Sequence, residues 1–173
     1  MDTSMLVIES NLPQLEALWQ QAPELTRGEL TKSLTEAVFL LEREVIERTP
    51  EGIGGAAGLK GGIAAVPPSL SLDTPGEIIG LVVGSAAHTL PIELGTKPHF
   101  VPIQPLQDWV EYKLGLEGKE AKNVAFAISR KIARDGTEGK FMFRDGFNAN
   151  EAQVQRIIEA ALPRIVEGLT REQ

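Results

Sequence analysis

The chain of 173 residues has no cysteine, one tyrosine and two tryptophans, and aromatic residues make up 5% of it. Without thiols there is no disulfide framework, no thiolate nucleophile and no cysteine-ligated metal, a composition that suits assembly in a reducing cytoplasm. With so few aromatic rings there is no set from which to build a ligand cage, and the core must be aliphatic. Basic residues are outnumbered, 17 against 24 acidic ones, so the net charge of -7 has the wrong sign for a protein whose main task is to grip phosphates. Long apolar runs are also missing. The stretch from Ile78 to Val83, interrupted by Gly80, falls far short of the roughly 20 residues that cross a bilayer. The first nine residues carry Asp2 and Glu9 with no basic segment before an apolar one, and are not expected to act as a signal peptide.

Catalytic and cofactor motifs are equally scarce. Only His88 and His99 are available as imidazoles, and neither stands in H-x-x-x-H or H-E-x-x-H spacing, so no metal site is expected. There is no G-x-S-x-G elbow. Gly52 to Ala57 fits a loose G-x-G-x-x-A, but it follows Pro50 and a long helical pattern, whereas a dinucleotide loop must follow a strand. Lys60 is followed by Gly61, where a P-loop needs Ser or Thr. Neither a cofactor nor an enzymatic activity is expected. The basic stretch Lys122, Arg130, Lys131, Arg134 and Lys140 reads as a solvated helix face pairing with acidic neighbours.

What is present is helical periodicity broken by glycine and proline. Leu30, Leu34, Ala37, Val38, Leu41 and Val45 recur at three and four, predicting a helix from Thr26 to Thr49, capped by Thr26 with Glu29 and stopped by Pro50. Met5 to Ile8 is a short apolar run, an edge strand or a docking arm. Residues 51–76 form an expected flexible loop and arm. Six glycines fall from Glu51 to Gly62, and a strand is expected within Ile63 to Leu72 before the Thr74-Pro75-Gly76 turn. Glu77 to Gly84, rich in Ile and Val, predicts a strand, and His88 to Leu94 a second one paired to it through Gly84-Ser85-Ala86. Residues 106–137 read as an inserted helix pair, from Leu106 to Leu114 and from Ala121 to Arg134, ended by Gly136. A last helix is expected from Arg144 or Ala149 to Leu169, kinked at Pro163 unless that residue lies where its missing donor is tolerated. The fold class is therefore α+β in one domain over residues 1–173. It has a small antiparallel sheet, a long N-terminal helix and a C-terminal helix packed on it, and a glycine-rich loop.

The segment Ile92-Glu93-Leu94-Gly95-Thr96-Lys97-Pro98-His99-Phe100-Val101-Pro102 resembles the hallmark of the bacteriophage tail-completion and virion-morphogenesis proteins, also described as minor tail components. In that family an aromatic-x-x-x-Val-Glu-Phe-Gly-Thr stretch runs into Pro-x-x-Phe-x-Pro. Flanking markers agree in order: Arg48-Thr49-Pro50 resembles the family's Arg-Ala-Pro, and Gly58-Leu59-Lys60-Gly61-Gly62-Ile63 stands where Thr-Gly-x-Leu-Arg-x-Ser-Ile is usual. Gly139 to Arg144 is similar to its Pro-Phe-Phe-Arg-Pro-Ala. His88 and Pro91 depart from it, standing where tyrosines are common.

The resemblance implies a structural protein of the phage neck, located in the virion and assembled in the cytoplasm of the host bacterium. It would form a closed ring, of six by the family's habit, that completes the tail and joins it to the DNA-filled head. Its partners would be copies of itself and adjacent neck and tail proteins, with DNA passing through unread. A tail-terminator ring capping the tail tube is the alternative within this class, and a small ligand-binding or enzymatic domain outside the virion the alternative beyond it. The residues expected at assembly contacts are Gly54, Gly55, Gly58, Leu59, Ile92, Glu93, Gly95, Thr96, Pro98, Phe100, Phe141 and Phe143. The glycine loop is expected to be mobile in a free subunit and ordered against a neighbour, since its side chains bury too little to offset the entropy of fixing it.

Overall fold

One long helix organises the molecule. In the computed structural model, which describes residues 12–52, 58–70 and 77–171, helix α1 spans Leu12–Arg48. Its buried face is the predicted stripe: Ala37, Val38, Leu41 and Val45 are all core residues. The predicted start is wrong. Thr26 does not cap the helix, which runs on through Pro23 to Leu12. Tertiary contact overrides the local signal, because the early part of α1 is held by the C-terminal helix α6 (Ala161–Arg171). A Cβ built on Gly168 of α6 would lie 2.7 Å from Leu25, so the two helices touch almost backbone to side chain. Arg164 donates to Glu29 at 2.8 Å and to the buried Ser33 hydroxyl at 2.6 Å.

After α1, Thr49 donates from its hydroxyl to the Val45 carbonyl at 2.6 Å, and Pro50 ends the helical path. Of the expected loop, residues 53–57, with Gly54 and Gly55, lie outside the described residues, as do Met5 to Ile8 and residues 71–76. The described end of that loop is fixed. Leu59 is 2% exposed, and a single 3-10 turn at Lys60–Gly62 leads into the sheet.

Strand β1 (Ile63–Leu70) pairs antiparallel with β2 (Ile78–Gly84), from Ile63 opposite Gly84 to Leu70 opposite Ile78. The register shifts between Val66 and Ser69, where Pro67 and Pro68 have no N–H to give the ladder. The ribbon lies on α1 closely enough that a Cβ on Gly80 would sit 2.6 Å from Val38. The Glu42 carboxylate accepts the Ala65 N–H at 3.0 Å.

The second expected strand is absent. Thr89–Leu94 forms a short helix, α2, and the partner of β2 is β1. Pro91 removes a ladder donor in the middle of the segment, and the 85–88 turn is fixed by Thr89 N–H donating to the Ala86 carbonyl, which starts a helical rather than an extended path.

Two-residue strand β3 (Gly95–Thr96) pairs with β4 (Thr137–Glu138), and between them stand helices α3 (Ile103–Leu114) and α4 (Gly118–Asp135). This pair has its own core of Val110, Ala121 and Ala125, flanked by Leu106, Trp109 and Ile128. The alanines of α4 let the two helices approach closely. Gly136 ends α4 with φ +75°, as its position predicts. The C-terminal pattern is two helices, α5 (Met142–Glu159) and α6, broken at Ala160. Pro163 does not kink a continuous helix. It occupies the first turn of α6, where its missing donor is not required.

The fold is α+β, with the ribbon, α5 and α6 each lying on α1. Helix α5 crosses α1 at Gly146, where a Cβ would be 3.0 Å from Val45. The main core joins Val45, Leu59, Ile63 and Met142, with Val82, Ile92 and Phe143 packed around it. Among the described residues no helix is long and apolar enough to cross a membrane.

Candidate assembly corner

The hallmark segment builds a corner where α2, β3, β4 and the start of α5 meet. Glu93, at the end of α2, is 9% exposed, and its carboxylate spans the N-terminus of α5. One oxygen accepts the Phe143 N–H at 3.0 Å and the other the Arg144 N–H at 3.1 Å. These are second- and third-position amides of a helix whose own cap residue, Phe141, offers no capping side chain. A carboxylate fifty residues away in sequence thus supplies the cap, its charge facing the positive end of the helix dipole.

Backbone bonds surround this contact. Lys140 N–H donates to the Ile92 carbonyl at 2.8 Å and Phe141 N–H to the Glu93 carbonyl at 3.1 Å. The Thr96 and Thr137 hydroxyls meet at 2.9 Å across β3 and β4. Three glycines make the approach possible. Gly95 (φ +77°) would drive a Cβ into the Thr137 carbonyl oxygen, Gly136 into that of Thr96, and Gly139 to 2.6 Å from that of Glu93. At Gly95 and Gly136 both the backbone angle and the lack of space select glycine.

Phe141 has φ +49°, the left-handed region seldom occupied by a bulky residue. The Arg144 guanidinium lies 3.7 Å from the centroid of its ring. Beyond β3, Pro98 and Pro102 bracket Phe100, which is 86% exposed. The bracket is tied to α4 by Ser129 donating to the Val101 carbonyl at 2.9 Å and by His99 N–H donating to the Ile132 carbonyl at 3.4 Å. A cleft of about 300 Å³ opens beside it, lined mainly by apolar groups including Pro50, Pro91, Ile92 and Val101, with His99 and Glu138 at its edge. Among the described residues no three His, Asp or Glu side chains are grouped to hold a metal ion.

The expected contact residues divide into two sets. Leu59 belongs to the core and is not available to a partner, and Glu93 is committed to the α5 cap. Ile92 and Phe143 pack on the core cluster. Gly95 and Thr96 form β3, and Phe141 is the cap residue of α5. These hold the corner together, whereas Pro98 and Phe100 face outward and Gly58 is half-buried. Sequence reading took Gly136 only as a helix stop and Gly139 only as part of a family marker, and gave neither its close-approach role. It also missed Asn150, which donates to Glu44 at 3.1 Å and to the Gly146 carbonyl at 2.9 Å between α1 and α5. Arg48 donates to the same Glu44 carboxylate at 2.7 Å and, with Asn150, holds it below the ordinary glutamate range.

The outward face of the ribbon is apolar as well. Val66, Ile79, Leu81 and Val83 are exposed, Leu81 by 51%, while the alternate residues Ile63 and Val82 turn to the core. No protein-family model matches the chain, and no curated protein or solved structure matches it at a significant level.

Proposed function

We propose that this chain is a structural subunit of a bacteriophage neck, forming a closed ring that completes the tail and joins it to the head. The observation that carries the reading is the uncovered apolar surface of the β1–β2 ribbon, together with Phe100 on its proline-stiffened bracket. A two-stranded antiparallel ribbon usually turns one face to water, and that face is then polar. Here it carries Val66, Ile79, Leu81 and Val83, the composition of a surface that a neighbour covers. The corner that resembles the tail-completion hallmark supplies the rigidity such a contact requires. Most of its expected residues are engaged in contacts within the subunit, so in this reading they set the direction in which Pro98 and Phe100 are presented.

A closed ring is the assembly this reading calls for. Different patches meeting head to tail either close or grow into fibres, and a virion joint requires closure. Six subunits is the number the resemblance implies. Duplex DNA passes through the opening without being read, consistent with a net charge of -7. Inactivating the gene in its phage tests the role: lysates should then contain filled heads and finished tails that fail to join. Normal infectious particles made without the protein would contradict it.

A further inference from the structure

Helix α4 separates charge from the rest of the molecule. It carries Lys119, Lys122, Arg130, Lys131 and Arg134 against Glu120 and Asp135, a net of +3, so with the whole chain at -7 the remainder stands at -10. The two acids sit at the ends of the helix, and Arg134 is engaged by Asp135 at 2.8 Å. Among the described residues no carboxylate lies within 4.0 Å of the charged groups of Lys122 or Arg130. Lys122, Phe126 and Arg130 succeed one another at four-residue spacing on the exposed face, about 6 Å apart along the axis, and Phe126 is 51% exposed. Phosphates alone would give Phe126 nothing to pack on. An acidic protein surface with apolar or amide groups between its carboxylates satisfies both kinds of side chain.

Such a surface exists on this chain. Helix α5 buries Met142, Gly146 and Asn150 against α1 and turns Glu151, Gln155 and Glu159 outward at the same four-residue spacing. Beside them Phe147 is partly exposed. Helices α4 and α5 share no extensive packing with each other within the chain. We propose that the α4 face of one copy docks on the α5 face of the next, antiparallel, with Lys122 opposite Glu159, Arg130 opposite Glu151, and Phe126 over Gln155. The proposal rests on the ring reading, for which it supplies the polar half of a head-to-tail contact between two different faces. Charge complementarity fixes the register, and the ribbon and Phe100 supply the apolar area.

The test uses the full chain and reads self-association by sedimentation velocity at low and high salt. Wild-type assembly should weaken as salt rises, since the Debye length falls from about 10 Å at 0.1 M to about 3 Å at 1 M. The double variants Lys122→Glu/Arg130→Glu and Glu151→Lys/Glu159→Lys should each associate at least about tenfold more weakly. Both should keep the wild-type circular dichroism, because all four side chains are exposed. The quadruple variant, with the charges exchanged, should regain the wild-type oligomer. If both double variants assemble like wild type, the α4–α5 contact is wrong and the ring reading stands. A wild-type chain that is monomeric at every salt concentration, and in particles, overturns both. If Lys122→Glu/Arg130→Glu abolishes a tight, salt-sensitive binding of duplex DNA and leaves self-association intact, α4 serves nucleic acid and the proposal falls.

Discussion

Glu93 shows how a single residue can look like a surface feature in sequence and act from the interior. A glutamate between Ile92 and Leu94 near prolines suggests an exposed strand end, yet its carboxylate caps α5 from outside that helix. Removing it leaves two amides at a partly buried helix start without acceptors. Glu93→Ala should therefore cost about 1 to 3 kcal/mol in urea unfolding, and Glu93→Gln less, since one acceptor oxygen remains. Gly95→Ala should be at least as damaging, because the φ of +77° and the Thr137 carbonyl both oppose a Cβ. If either substitution unfolds at the wild-type urea midpoint, the corner is not a structural element. Glu44 bears on pH. Its folded pKa is lowered, first by the Arg48 hydrogen bond and then by that of Asn150. A depressed carboxylate contributes stability that is complete above its unfolded pKa and lost as pH falls through the folded one. Glu44→Gln should accordingly flatten the loss of stability below the ordinary glutamate range, measured as thermal midpoint against pH.

At the scale of elements, legibility followed periodicity. The stripe from Leu30 to Val45, the α3 and α4 pair and the C-terminal helical pattern were readable because apolar residues recur at three and four over many turns. Boundaries and short elements were not. The Thr26 signal lost to contacts with α6, which lie more than a hundred residues away, and six residues from Thr89 to Leu94 are too few to show a period. Of the corner, the 92–102 segment and the Gly139 to Arg144 marker were each visible in sequence, but their contact was not, because nothing local marks where a chain will pass within touching distance of another. The β1–β2 ribbon was half-read: both strands were found and the pairing was assigned to the wrong neighbour. Its outward face gives an element-level prediction. Leu81→Lys with Val83→Glu should leave the free subunit folded, within about 0.5 kcal/mol of wild type as for ordinary surface changes, and impair assembly. A variant that assembles normally would show that face to be idle.

The whole molecule is a long helix that bears a ribbon on one part and two C-terminal helices along its length, with a separate helix pair carried on a two-residue strand pairing. Among the described residues this arrangement leaves the outer face of the ribbon, Phe100 and the basic face of α4 exposed. At this scale the charge balance makes its own prediction. Random-sequence duplex should bind the isolated protein with a Kd weaker than about 1 μM at physiological salt, by fluorescence anisotropy, since a net charge of -7 opposes phosphate binding despite the basic face of α4. The most direct measurement is native mass spectrometry of the full chain, alone and released from purified particles. The account predicts one closed oligomer of a single size, six by resemblance. A strict monomer in both preparations would contradict it.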